Sequence, residues 1–165
     1  MLKQKHEQQF INQVKKFRQT IEPCWCEETA HKSRISQARE GKSIGQCGVT
    51  SLLLREYLIA KVPELRIKVA RGKVLDAGNK ELIPYHVWLE IADINNQRWN
   101  LDTALDQSVI KMPVYYDLAV NPKCSEIKYK CIEYLDLANI NEDFKRRFLI
   151  LKQRVLNKIE NQCLE

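Results

Sequence analysis

Cys47 stands in the run Gly45-Gln46-Cys47-Gly48-Val49-Thr50-Ser51-Leu52-Leu53-Leu54, where a small, turn-competent segment passes into a strongly apolar helix. A thiol at a helix N-terminus meets unpaired N–H groups and the positive end of the helix dipole. Both favour the thiolate, the form that attacks a carbonyl carbon. Such a nucleophile needs a base and a group that orients the base. His86 lies in Ile83-Pro84-Tyr85-His86-Val87-Trp88-Leu89-Glu90-Ile91, and Asp102 ends Gln97-Arg98-Trp99-Asn100-Leu101-Asp102. If these two segments pair as strands across the turn Asp93 to Asn96, positions near 101 to 103 fall opposite 86 to 88. A carboxylate there accepts a hydrogen bond from one ring nitrogen of His86 and leaves the other facing a thiol. His86, Trp88 and Glu90 share one strand face and Val87, Leu89 and Ile91 the other, which keeps the imidazole out of the aliphatic layer. Cys47, His86 and Asp102 are the candidate catalytic residues.

Four further residues are candidates for oxyanion or substrate contacts: Gln46, Trp88, Trp25 and Asn100. Gln46, next to the nucleophile, reads either as an oxyanion donor or as a cap of the helix entrance. Trp25, Trp88 and Trp99 read either as the lining of a cleft or as large core residues. Asn100, two places before Asp102, shares its face. Asp106 is a second carboxylate that could orient His86, although it lies beyond the strand.

The elements that must carry these groups follow from periodicity. Phe10, Val14, Phe17 and Ile21 give residues 4 to 21 the pattern of an amphipathic helix ended by Pro23. Residues 24 to 45 lack a period and form a long loop with room for a short helix around Ala30 to Ser36. The cysteine helix runs from about Gln46 to Ala60 and stops before Pro63, with Val49, Leu52, Leu53 and Tyr57 as its packed positions. Alternation over Leu65 to Val74, then Ile83 to Ile91, then Gln97 to Asp102 predicts three strands joined by turns at Gly78-Asn79 and at Asp93 to Asn96. After an irregular stretch from Thr103 to Lys123, holding Pro113 and Pro122, a strand is expected over Glu126 to Tyr134. A last helix over Asn141 to Glu160 carries a stripe of Phe144, Phe148, Leu151, Val155 and Ile159. Grouped strands between helices argue for an α+β fold with an antiparallel sheet. A chain of 165 residues suits one domain, divided into an N-terminal helix (1–23), a catalytic core (24–135) and a C-terminal helix (136–165).

Composition excludes several classes of function. The net charge is +6, but Lys and Arg alternate with Asp and Glu, and no basic stripe interleaves with aromatics as single-strand nucleic-acid binders require. No apolar run approaches a membrane span, and Met1 to Glu7 lacks a signal-peptide core, so a cytoplasmic location is expected. Cys24, Cys26, Cys47, Cys124, Cys131 and Cys163 then read as reduced thiols. The Cys24-Trp25-Cys26 pair has no second close pair with zinc-ligand spacing, so neither a metal nor a cofactor is expected.

The order of nucleophile on a helix, base on a strand and acid on the next strand suits papain-like and transglutaminase-like enzymes. More specifically, Trp25 to Thr29, Gly45-Gln46-Cys47-Gly48-Val49-Thr50, His86 with Trp88, and Asp102 followed by Gln107 resemble the YunG-like group of small bacterial proteins. That group carries a GQC-V-T helix start, an HYWN-type strand and a DLT-x-x-Q segment. The resemblance spans roughly residues 24 to 107 and leaves the terminal helices outside it as a cap or partner surface. It departs at Val87 and Leu89 within the HYWN pattern and at Thr103 within DLT, positions that bear on substrate contacts more than on the triad. The resemblance implies a papain-like or transglutaminase-like core, the Cys-bearing helix packed on the sheet, with Cys47 as nucleophile, His86 as general base and acid, and Asp102 as its orienter. The function expected is thiol-dependent acyl transfer on a protein, peptide or amide substrate, as a cysteine peptidase, glutamine deamidase or transglutaminase-like enzyme. The alternative is a non-catalytic protein-binding module on the same fold.

Overall fold

The computed structural model describes residues 4–107, 111–117 and 126–162. Cys124, Cys163 and Pro122, named above, lie outside them. The elements run α1 (Gln4–Ile21), α2 (Cys47–Lys61), β1 (Arg66–Asp76), β2 (Glu81–Ala92), β3 (Arg98–Asp102), β4 (Tyr115–Tyr116), β5 (Ile127–Leu135) and α3 (Glu142–Gln162). The fold is α+β, with one five-stranded antiparallel sheet in the order β4-β3-β2-β1-β5 and helices flanking it in the chain. The first four strands form a meander, and β5 crosses back to the free edge of β1.

Phe10, Ile11, Val14, Phe17 and Ile21 bury one side of α1, and Pro23 follows directly in a 3₁₀ turn at Glu22–Cys24. Two more 3₁₀ turns, Glu27–Thr29 and Lys32–Gln37, occupy the aperiodic segment, the second where a short helix was expected. The segment enters α2 through Gly45 at φ +76°. A Cβ there would lie 3.0 Å from Arg34 Cβ and 3.2 Å from the His31 nitrogen, so only glycine fits this turn.

Val49, Leu52, Leu53, Leu54 and Leu58 bury α2 almost all round, as a central helix requires. Its neighbours are α1, where Phe17 and Tyr57 meet at 5.2 Å, and the sheet face made by Val69, Val87, Leu89, Ile91 and Leu101. A second apolar cluster of Val74, Ile83, Leu105, Tyr115 and Ile127 forms outside that layer, and Ala70 is also buried. The alternation in β1 thus reads correctly as a strand, yet its buried side changes: Ile67 and Val69 are covered on one face, Ala70, Gly72 and Val74 on the other, and Arg71 stays exposed. Gly72 makes this possible: a Cβ there would stand 2.0 Å from the Lys130 carbonyl oxygen of β5 and 3.0 Å from the Trp88 ring.

At the first hairpin the positive φ falls on Asn79 (68°) rather than on Gly78. At the second, Asp93 Oδ1 accepts the N–H groups of Asn95 and Gln97 and fixes the turn that holds β2 against β3. The resulting register pairs Leu89 with Leu101. Asp102 therefore stands abreast of Trp88, on the face that His86 also uses.

Asn141 Oδ1 caps α3 by accepting the Phe144 N–H at 2.8 Å. Phe148 and Leu151 are buried and Phe144 and Val155 partly so, but Ile159 is 44% exposed. The expected apolar stripe ends a turn early. No helix among the described residues is long and apolar enough to cross a membrane.

Candidate active site

Cys47 is the first residue of α2 and is half-buried. One turn later, Ser51 Oγ–H donates to the Val87 carbonyl at 3.1 Å and stitches the start of α2 to β2 one residue past His86. The thiol and the imidazole are thereby brought near enough for each to shift the other's titration, Cys47 downward and His86 upward.

His86 is buried, but not among the aliphatic residues of its own strand. Its ring lies near-parallel to Trp88 with centroids 6.4 Å apart, and Nε2 lies 2.5 Å from Asp102 Oδ2. Asp102, also buried, accepts two further hydrogen bonds: Tyr129 O–H to Oδ2 at 2.9 Å and Ala104 N–H to Oδ1 at 2.9 Å. A buried carboxylate needs partners of this kind to stay ionised. Burial alone would push the His86 pKa down; the Asp102 charge and hydrogen bond outweigh it and, with Cys47, push it up to about 10. Burial likewise pushes the Cys47 thiol up, but its bonds to His86, Val87 and Gln107 and the His86 charge together hold it below the ordinary thiol range. Cys24 and Cys131 move the other way, raised chiefly by burial. The described cysteines are all free.

The other candidates surround this row without joining it. The Gln46 side chain does not cap α2; its Nε2–H donates to the Cys26 carbonyl at 2.9 Å, tying the preceding loop to the helix start, and its buried Oε1 has no hydrogen-bond partner among the described residues. Trp25 is fully buried, its N–H on Thr50 Oγ1 at 3.0 Å and its ring under the Arg18 guanidinium at 4.5 Å. Trp88 is equally buried, donates to Asn100 Oδ1 at 3.0 Å and packs on Tyr129. Both indoles, with the buried Trp99, are core residues here and present no surface to a bound molecule. Asn100 answers to Trp88 and Asp117 rather than to His86. Asp106 does not orient the imidazole: it pairs with Arg18 at 2.8 Å.

Three residues of the site carried no chemistry in the sequence reading. Gln107 sets Nε2 2.6 Å from His86 Nδ1 and accepts the Gly45 N–H at 3.3 Å. In the sequence it stands only as part of the Asp102-to-Gln107 motif. Tyr129 reaches Asp102 from β5, a strand whose pairing partner no local pattern reveals. Arg18 did leave a trace, because position 18 continues the apolar stripe of 14 and 21; an arginine there had to find buried partners. Its Nη1 donates to the carbonyls of Thr103 (2.7 Å) and Pro113 (2.9 Å) and it pairs with Asp106, holding the segment that runs from Asp102 to Gln107.

The row Cys47–His86–Asp102 can deprotonate a thiol, hold the imidazolium and return a proton to a leaving group. Among the described residues no three His, Cys, Asp or Glu side chains gather as a metal ion would require. A protein-family model described as YunG protein matches residues 13–160 of the chain, taking in the second half of α1 and most of α3 as well as the segment between them. No curated protein and no solved structure matches.

Proposed function

The chain belongs to the YunG family, and on that premise we propose that it is a thiol-dependent acyl-transfer enzyme with a papain-like or transglutaminase-like core. The observation that carries the reading is the hydrogen-bonded His86–Asp102 pair beside Cys47 at one end of the sheet. His86 Nε2 lies 2.5 Å from a buried, triply bonded Asp102, and the imidazole is close enough to Cys47 to hold its thiol pKa down.

In this scheme the Cys47 thiolate attacks an amide or thioester carbonyl of a protein or peptide. His86 donates its proton to the leaving group, and water or an amine resolves the thioester. Asp102 keeps Nε2 protonated, so that Nδ1 is the nitrogen that works on the thiol. Peptidase, deamidase and transglutaminase reactions are one scheme with different acyl donors and acceptors. The lowered thiol pKa favours the thiolate, and a thiolate nucleophile suits a reducing compartment, which we take to be the cytoplasm. Against the binding-module reading stands the cost of burying an ion pair of this kind, which a mere scaffold has no need to meet.

The test is labelling by a thiol-reactive amide analogue followed by peptide mapping. Modification at Cys47, abolished in a folded Cys47→Ala variant and strongly slowed in His86→Ala, is the expected result. Labelling that persists in Cys47→Ala, or that lands on another cysteine at full rate, overturns the proposal.

A further inference from the structure

Gln107 touches both reacting side chains. Its amide accepts the Gly45 N–H through Oε1 at 3.3 Å and places Nε2 2.6 Å from His86 Nδ1, and its side chain helps to hold the Cys47 thiol pKa down. The Gly45 donor decides which end of the amide faces the ring: oxygen toward the backbone N–H, nitrogen toward the imidazole. Two nitrogens this close have room for one hydrogen between them. While Nδ1 is unprotonated it accepts from Gln107; once Nδ1 carries a proton, the amide N–H must point elsewhere. The acceptors within its reach are then the Cys47 sulfur and any oxygen on a carbon bonded to that sulfur.

Resting on the acyl-transfer reading, we infer that Gln107 is the side-chain donor of the oxyanion hole, free to turn from His86 to the substrate oxygen whenever Nδ1 carries the proton taken from the thiol. Nδ1 takes the thiol proton. A sulfur lone pair forms the C–S bond while the carbonyl π pair moves onto oxygen, and the Gln107 Nε2–H and the Cys47 backbone N–H donate to that oxygen. As the oxygen pair returns to carbon, the bond to the leaving amine breaks and the amine takes the proton from Nδ1. The ring lone pair is restored and receives Gln107 again. Gln46, the oxyanion candidate suggested by its place beside Cys47, already spends an amide hydrogen on the Cys26 carbonyl. Gln107 reaches the site because Arg18 anchors Asp106, its chain neighbour.

Two substitutions separate this role from simple packing. Gln107→Met keeps the length and removes the donor; Gln107→Glu keeps an oxygen for the Gly45 N–H and also removes the donor. Each variant and the wild type are treated with iodoacetamide, whose attack by sulfur forms no oxyanion, and with p-nitrophenyl acetate, whose attack does, at a pH where the thiol is fully ionised. Peptide mapping assigns both labels to Cys47. Nitrophenolate release should fall by about 10²–10³-fold in both variants while alkylation keeps its wild-type rate. Unchanged nitrophenolate release, or a parallel loss of both reactions, overturns the role of Gln107. Wild-type protein that alkylates at Cys47 and releases no nitrophenolate overturns the acyl-transfer reading itself, and this role with it.

Discussion

Arg18 donates to the carbonyl of Thr103 at 2.7 Å across 85 residues of sequence, one position from Asp102. The guanidinium is buried and takes up the Pro113 carbonyl and the Asp106 carboxylate as well, so the first helix is a fixture of the loop that carries Asp102 and Gln107. The family match over residues 13–160 includes Arg18. A terminal helix that supplies a buried fork to the candidate site belongs to its architecture.

Arg18→Met should therefore destabilise the fold by roughly 3 kcal/mol, because it leaves Asp106 and two carbonyls without their cation. Arg18→Lys should recover only part of this, since a single ammonium does not reproduce the fork. Urea titration of the three proteins measures it. A Met variant with the wild-type midpoint would show that the loop does not depend on α1.

The pH behaviour follows from the signs of the two shifts. The His86 pKa is raised from 6.5 to about 10, so its contribution to stability is complete below 6.5 and disappears as pH rises through about 10. The Cys47 pKa is lowered from 9.0, so its contribution is complete above 9.0 and disappears as pH falls through the lowered value. Where the two windows overlap, below about 9, the slopes oppose each other and flatten the curve; above 9 only the His86 slope remains, and stability falls toward 10. Alkylation of Cys47 should begin at a pH below the ordinary thiol range and show a second inflection near 10. Stability curves and alkylation rates taken across that range read both; a Cys47 rate that rises only near 9 would contradict the ion pair.

Asp102→Asn should keep the fold and lower acyl transfer by about 10³–10⁴-fold, because an amide donor facing Nε2 selects the tautomer whose Nδ1 already bears hydrogen. Tyr129→Phe removes one of three donors to the same carboxylate and leaves the tautomer correct. Its expected cost is about 1–2 kcal/mol in stability, with a far smaller loss of rate. Equal rate losses in the two variants would mean that Asp102 acts through packing and not through the ring proton.

How much of this was legible beforehand depended on how far apart in the chain the partners lie. Periodicity located α1, α2, α3 and four of the strands, since each buries a face that its own residues spell out. The pair β4, two residues long, is too short to have a period. Cys47, His86 and Asp102 were readable because one helix start and one hairpin position them. Whether Asp102 shared the face of His86 rested on the Leu89–Leu101 register, which Asp93 sets through its turn bonds. Gln107, Tyr129 and Arg18 come from a loop, a strand added across β1 and a distant helix. Their contacts are products of tertiary packing, and the assignment of Trp25 and Trp88 to the core rather than a cleft has the same origin.

Gly48 follows the nucleophile directly, and a Cβ at that position would lie 2.7 Å from Phe144 Cζ in the first turn of α3. Gly48→Ala should thus force the aromatic ring away from the start of α2 at a cost of about 1–3 kcal/mol. Because the obstacle is the far edge of a side chain and not backbone, Phe144→Leu in the same protein should return much of that loss. The double-mutant cycle should then give a favourable coupling of about 1 kcal/mol or more. Gly72→Ala, whose Cβ meets the Lys130 carbonyl at 2.0 Å, has no such remedy and should not fold stably. If Gly48→Ala and Phe144→Leu were additive, α3 would not be seated on the nucleophile's helix. If they couple as expected, Cys47 alkylation measured in the single and double variants should track the ring, slowed by Gly48→Ala and restored by Phe144→Leu.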